Sequence, residues 1–419
     1  MYLERSASRK LETLLSAFPA VVVTGARQVG KSTLIRHALE GQADFVVFDP
    51  VVDVENARRD PELFLANHRT PLVLDEVQYA PELLPSIKRR IDLNRKPGQY
   101  ILTGTQQWGV LKTVAESLAG RVAFLDQEGF SVLEAAQSVG NHWLPAWLDS
   151  PELVVRKGVA RAGDPFPIYE RLWRGWLPEA HFLPAETIPD FQMAYQRTYI
   201  ERDARLLADV SDWQRFGRFM RLAAALTAQE LNRSQLGRDI GVSPQTAQRW
   251  LDVLKATFQW FEVPSYSGNT VKRVGGKPKG YIADTGVACW SLAISSPKAV
   301  GGHPAWGALF ETAVFGEVRK ATSLLSPRPV IHHWRTGGGA EVDLLIERDG
   351  VLFPIEVKAT SRPSRRDTSG LHAFRKTYPR LEVAKGLVIA PCESLLQLSE
   401  NDYALPWDAV LGGVSEGMA

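Results

Sequence analysis

Two groups of residues in this chain have the types and spacing to do chemistry. The first is Gly25-Ala26-Arg27-Gln28-Val29-Gly30-Lys31-Ser32-Thr33, directly after the apolar run Val21-Val22-Val23. It fits G-x-x-x-x-G-K-[ST] between a predicted strand and a predicted helix, the setting such a loop requires. Backbone N–H groups of the loop wrap a triphosphate. Lys31 adds a point charge to the outer phosphates, Ser32 offers a hydroxyl to Mg²⁺, and the helix that opens there adds its dipole. The metal needs a second partner on a neighbouring buried strand. Pro71-Leu72-Val73-Leu74-Asp75-Glu76 supplies it, with two carboxylates at the strand's C-terminal end, where parallel α/β sheets bind ligands. Asp75 is placed to hold Mg²⁺ through water and Glu76 to orient an attacking water. A third apolar run, Tyr100-Ile101-Leu102-Thr103-Gly104-Thr105, ends in hydroxyls. Thr103 or Thr105 is the candidate sensor of a γ-phosphate, although Thr also simply favours strands.

The second group lies near the C-terminal end: Glu341, Asp343 and Glu347, then Asp349-Gly350, then Glu356 and Lys358. Asp-Gly is a strong two-residue hairpin signal. A turn there pairs Asp343 with Glu356 and Glu341 with Lys358. The two-residue period puts all four on one side of the sheet. Val342, Leu344, Ile346, Val351, Phe353, Ile355 and Val357 take the other side. Opposed carboxylates repel, and a divalent cation, Mg²⁺ or Mn²⁺, reverses that sign. Asp343 and Glu356 are therefore candidate metal ligands, with Glu311 from an upstream helical stretch as a third. Lys358 would steady a hydroxide or a developing phosphate charge. Asp, about a dozen residues, then Glu-x-Lys is the pattern of the PD-(D/E)xK nuclease core. The plainer alternative is an exposed sheet face bearing a Glu341–Lys358 ion pair.

The elements that must position these groups can be read from patterning. Up to residue 130, apolar runs at Val21–Val23, Phe45–Phe48, Leu72–Leu74, Ile101–Leu102 and Val122–Leu125 alternate with helical stretches. This predicts a parallel sheet covered by helices. Residues 131–190 are looser and form a predicted helical lid. Residues 191–280 are helical, with Leu236, Ile240 and Val242 before Ser243-Pro244, and Ala247, Leu251 and Leu254 after it. That spacing predicts a helix-turn-helix, with Ser243 as N-cap and Pro244 at the first helical position. Gln245, Thr246, Gln248, Arg249 and Asp252 fall on its outer face. Lys272, Arg273, Lys277 and Lys279 follow as a basic wing, and DNA is the partner expected under helix and wing. Residues 281–419 read as mixed strands and helices around the second acidic group. The expected fold class is α/β: a P-loop parallel sheet with a helical lid, a winged helix, and a C-terminal nuclease-like α/β domain.

Composition sets outer bounds. The chain has 419 residues, 45% hydrophobic and 23% charged, enough for several packed domains. A net charge of +2 excludes a uniformly basic surface but allows local patches. Two distant cysteines, Cys289 and Cys392, exclude a disulfide framework and a cysteine metal site. With no signal-peptide pattern and no apolar run near the roughly 20 residues of a membrane span, a cytoplasmic protein is expected.

Over nearly its whole length the chain resembles AAA-type ATPases whose C-terminal half is a domain of unknown function related to PD-(D/E)xK nucleases. The resemblance rests on GARQVGKST, LVLDEVQ with Gln78, ILTGT, ESLAGR (116–121), RGWLPE (174–179), TYIERD (198–203), YIADTG (281–286) and WR…EVDLLIE…FPIEVK. It implies ATP as the nucleotide. It implies Arg121 as an arginine finger reaching a neighbouring subunit in a homo-oligomer, most simply a hexameric ring. It also implies that the turn from Gly175 to Pro178 is a lid segment near the base. The chain has Ala26 where the family usually has Pro, and Gly175-Trp176 where it has two glycines.

Overall fold

The computed structural model describes residues 2–48, 54–105, 118–138, 141–198, 204, 213–269, 273 and 276–411. Lys272, residues 199–203 of TYIERD, and Glu116 and Ser117 of ESLAGR lie outside them.

The five apolar runs of the N-terminal third all become strands. They are β1 (Ala20–Thr24), β2 (Asp44–Val47), β3 (Leu72–Asp75), β4 (Tyr100–Gly104) and β5 (Val122–Asp126). They form one parallel sheet in the order β2-β3-β4-β1-β5. Parallel strands bury both faces, and here alternate residues divide between two cores. Val22, Leu74 and Leu102 pack on one side, and Val21, Val23, Val73 and Ile101 on the other. The C-terminal ends of β1, β3 and β4 therefore open at one edge, carrying the loop, the two acids and the hydroxyls.

The segment 131–190 folds as short helices around β6 (Val159–Arg161). After it, helix Trp213–Ala225 leads to β7 (Gln229–Glu230), helices Arg233–Ile240 and Pro244–Ala256, then β8 (Trp260–Val263) and β9 (Lys279–Ile282). The strands pair in the order β7-β9-β8. Ser243 caps its helix as expected, its hydroxyl accepting from Thr246 N at 3.1 Å, with Pro244 first in the helix. Leu236, Ala247, Trp250, Leu251 and Leu254 face the core, which is what the helical spacing requires.

The C-terminal sheet holds β10 (Val330–Arg335), β11 (Glu341–Arg348), β12 (Val351–Val357), β13 (Glu382–Val383), β14 (Gly386–Ala390), β15 (Leu396–Gln397) and β16 (Asp402–Pro406). Their order is β10-β11-β12-β14-β16-β15, with β13 beside β12. A last strand, β17 (Ala409–Leu411), leaves this sheet and pairs with β6, and Arg161 Nε meets Asp408 at 3.0 Å. The segment expected to be a lid is thus tied to the far end of the chain. One apolar core runs from Val132 to Ala409 and takes in Ala26 and Val29 of the phosphate loop. Among the described residues no helix is long and apolar enough to cross a membrane. Cys289 and Cys392 are both buried and free.

The hairpin register is the expected one from Arg348↔Val351 to Leu344↔Ile355. Both turn residues have positive φ, 52° at Asp349 and 83° at Gly350, as a type I′ turn requires. Beyond that the expectation needs correcting. The ladder stops before Asp343 and Glu356. Asp343 instead turns a carboxylate oxygen to the backbone N–H of Val357, 2.9 Å away. The cause is a register shift opposite His332–Trp334 in β10. A bulge re-aims the side chains next to it, so Val342 packs with Leu345, Leu352 and Phe374, not with Leu344 and Ile346.

Candidate functional site

The phosphate loop has the backbone its sequence demands. Gly25 has φ 150°, and a Cβ there would stand 2.0 Å from the carbonyl oxygen of Gln127. Only glycine fits. Lys31 opens helix Lys31–Leu39. Its ammonium donates to the carbonyls of Gly25 at 3.0 Å and Ala26 at 2.9 Å, so it lies across the hollow of the loop.

The strand ends converge on that loop. Ser32 Oγ donates to Asp75 Oδ2 at 2.7 Å. The Thr103 hydroxyl donates to Asp75 Oδ1 and accepts from Glu76 N at 3.0 Å. Thr103 therefore fixes the turn that carries both acids. Glu76 sits at φ 59°, a left-handed conformation that costs a non-glycine residue on the order of 1–3 kcal/mol and concentrates at functional sites. Its Oε2 accepts from Gln78 Nε2 at 2.5 Å and from Thr105 Oγ1 at 3.5 Å. Of the two sensor candidates, Thr105 is the one beside the Glu76 carboxylate. The hydroxyl of Ser32 and the carboxylate of Asp75 are hard oxygen donors side by side, a pair that fits Mg²⁺.

Arg5 is a part of this site that patterning did not indicate. It is buried, donates to the loop carbonyl of Val29 at 2.9 Å and to the Glu128 carbonyl at 2.6 Å, and pairs with Glu134 at 3.3 Å. A lone Arg ahead of the first helix carries no sequence signal for that. The lid turn is held from the opposite side. Asp284 Oδ2 accepts from Trp176 N at 2.7 Å, while its Oδ1 accepts from Gly286 N at 2.8 Å and Val287 N at 3.1 Å. A Cβ on Gly175 would fall 2.1 Å from that Oδ1, so the residue before Trp176 must be glycine. Trp176, Ala26, Val29 and Tyr195 line one narrow cavity, so the turn from Gly175 to Pro178 lies beside the loop.

Arg121 stands at the start of β5, bonded to Asp92 at 2.5 Å and to Ala119 O at 2.8 Å. The five residues of β5 carry the chain about 16 Å from there to the loop edge of the sheet. Arg121 therefore does not reach the phosphate loop of its own chain.

The C-terminal acids are neighbours, but not in the expected way. Asp343 and Glu356 are buried, so the exposed-face alternative is wrong. Lys358 pairs with Glu356 at 2.7 Å, and Glu341 lies 3.8 Å from Arg335. Between Glu311 and Asp343 stands Lys279, with Nζ 2.5 Å from Glu311 Oε1 and 2.8 Å from Asp343 Oδ1. This corrects the wing reading for Lys279, which is buried at the start of β9. Burial, and then the charge of Asp343, pushes both the Glu311 and Glu356 carboxyls up to about 8. Burial pushes the Lys279 ammonium down, but Asp343 and Glu311 outweigh it and hold it above its ordinary range. The expected metal set of Glu311, Asp343 and Glu356 also needs correcting. Among the described residues no cluster of three or more His, Cys, Asp or Glu is placed to hold a metal ion. Of the other expected wing residues, Arg273 is tied to Glu347 at 3.1 Å and lies over the Tyr266 ring, while Lys277 is exposed.

Three family models match the chain. Residues 17–136 match an AAA domain. Residues 167–298 and 306–410 match two domains of unknown function, DUF8612 and DUF4143. The first match supports an AAA-type ATPase. The uncharacterized protein Rv2008c of Mycobacterium tuberculosis is 29% identical over 421 residues, covering 99% of this chain and 86% of that one. Mb2031c of Mycobacterium bovis matches equally. Among solved structures, the Walker-type ATPase PABY2304 of Pyrococcus abyssi is 17% identical with a TM-score of 0.42, over 70% of this chain and 96% of that one. The RuvB Holliday junction branch migration motor of Thermotoga maritima is 13% identical with a TM-score of 0.32, over 62% and 90%.

Proposed function

We propose that this protein hydrolyses ATP with Mg²⁺ in a homo-oligomer and uses the cycle to act on DNA. The observation that carries the ATPase is the bonded series Ser32–Asp75–Thr103 beside Lys31, with Glu76 at the end of the same strand. Loop N–H groups and Lys31 bind the phosphates, Ser32 and Asp75 hold the ion, and Glu76 aligns water with the γ-phosphate. Mg²⁺ held there by Ser32 and Asp75 would supply neutralisation of the charge developing on the phosphoryl oxygens. The deciding test is phosphate release with Mg²⁺, compared between wild type and Lys31→Ala. Activity retained by Lys31→Ala rejects this site.

Assembly is supported by the place of Arg121. Arg121→Ala is expected to bind ATP as wild type does and to lose most of its hydrolysis. Mixing it with Glu76→Gln protein should restore part, because each chain supplies what the other lacks. An enzyme that is fully active and monomeric at every concentration rules out a shared site.

The order helix, strand, two helices, two strands supports reading residues 213–282 as a winged helix. Gln245 and Arg249 are exposed on its second paired helix, and Lys277 is exposed between the last two strands. Phosphate contacts there make DNA affinity fall with salt. Replacing Lys272 and Lys277 together by Ala should flatten the salt slope by about two units. Replacing Arg273, already bonded to Glu347, should change it little. A second reading, a nucleotide-gated switch whose C-terminal half binds a partner without cutting, is favoured by the inward turn of Lys279 and Arg273. It predicts hydrolysis that is indifferent to linear, nicked or branched DNA.

A further inference from the structure

Buried carboxylates need a cation, and a sheet end with Glu311, Asp343 and Glu356 around it has to find one. Between Glu311 and Asp343 that cation is part of the chain. Lys279 Nζ bonds both acids, and its side chain is only 9% exposed. Tyr281, two residues further along β9, donates its hydroxyl to the same oxygen, Glu311 Oε1, at 2.6 Å, and Val357 N donates to the other Asp343 oxygen, Oδ2. Glu356 Oε1 takes Lys358, while its Oε2 is buried without a partner. A divalent cation sits about 2.0–2.6 Å from carboxylate oxygens. An ammonium at 2.5–2.8 Å from the same two oxygens leaves no room for one.

We propose that Lys279 is the resident counter-ion of this cluster, standing in the divalent-cation position and keeping metal out. Its anchorage supports this. β9 is the middle strand of the β7-β9-β8 sheet, so the backbone that presents Lys279 is bonded on both sides. Lys279 also comes from a different sheet than Asp343, so the cation arrives only once the two sheets have packed together. Glu356 Oε2 is the oxygen left over, available when a larger charge replaces the ammonium. The inference rests on neither ATP hydrolysis nor DNA binding, and its test reads neither.

The test uses full-length, nucleotide-free protein carrying Asp75→Asn, which removes the carboxylate of the phosphate-loop ion site. The probe is Mn²⁺, followed by calorimetric titration and by the shift in Tm. In that background the cluster is expected to bind no Mn²⁺, so adding Asp343→Asn changes neither readout. Adding Lys279→Ala should lower Tm, because two acids lose their cation. Mn²⁺ should then restore Tm and bind with one site per chain, and Asp343→Asn on top should abolish both effects. Mn²⁺ stabilisation already present with Lys279 intact, and removed by Asp343→Asn, overturns the proposal. So does a Lys279→Ala protein that gains no response to Mn²⁺. If Lys279→Ala does not accumulate as folded protein, Lys279→Gln, which keeps a donor and drops the charge, carries the same comparison. Refolding either variant with and without Mn²⁺ separates the same two outcomes. Recovery only with the metal supports the assignment, and equal recovery overturns it.

Discussion

Glu76→Gln is expected to slow steady-state ATP hydrolysis by about 10²–10⁴-fold, the usual contribution of a positioned general base, while ATP binding stays within a few-fold. The amide has the shape of the carboxylate and still faces Gln78 and Thr105. It cannot accept a proton from water or polarise it. Binding survives because the phosphates are held elsewhere, by the loop N–H groups and Lys31. Lys31→Ala should show the complementary pattern, losing the ATP-dependent rise in Tm together with turnover. The two variants separate chemistry from binding, since a loss of rate with binding intact reports an interaction made mainly in the transition state. Equilibrium binding of a fluorescent ATP analogue and phosphate release on the same preparations decide it. Wild-type turnover by Glu76→Gln would mean that another residue aligns the water.

The N-terminal third was legible because its signals are local. A glycine-rich loop between an apolar run and a helix has one productive geometry, and each apolar run became a parallel strand within a residue or two, the central three fully buried. The hairpin turn at Asp349-Gly350 was legible for the same reason, since two residues set the register of the strands they join. What was missed depends on distant partners. No pattern in Lys272 to Lys279 distinguishes a lysine that faces solvent from one that enters a second sheet, yet Lys279 bonds Glu311 and Asp343 from far along the chain. The bulge that re-aims Asp343 places two β11 residues against one of β10, and the spacing of neither strand says where they will pair. Arg5 joins the N-terminus to Val29 and Glu128, a contact that exists only once the sheet is assembled. Asp284 stands within the recognisable YIADTG segment, but its bond to the lid is a tertiary fact.

Asp284→Ala is expected to destabilise the protein by about 3–5 kcal/mol, because it strips acceptors from three buried backbone N–H groups, each worth on the order of 1–3 kcal/mol when left unpaired. Two of them, Gly286 and Val287, open helix Thr285–Ser291. Losing their N-cap alone costs about 1 kcal/mol. The third belongs to Trp176 in the lid turn, whose own carbonyl accepts from Phe130 N at 2.7 Å, in the segment that leads out of β5. The damage should therefore extend past the helix. The turn beside the phosphate loop loses its fixed point, and ATP should raise the Tm of the variant less than that of wild type. Asp284→Asn sharpens the test. Its carbonyl oxygen can keep the helix cap, but its amide group meets Trp176 N–H donor to donor. It should cost less overall, about 1–3 kcal/mol, while weakening the ATP response nearly as much as Ala does. Urea unfolding midpoints with and without ATP measure both quantities. If Asp284→Asn and Asp284→Ala lose stability equally while ATP stabilises each as it does wild type, Asp284 serves only its helix and the lid turn is held by other contacts.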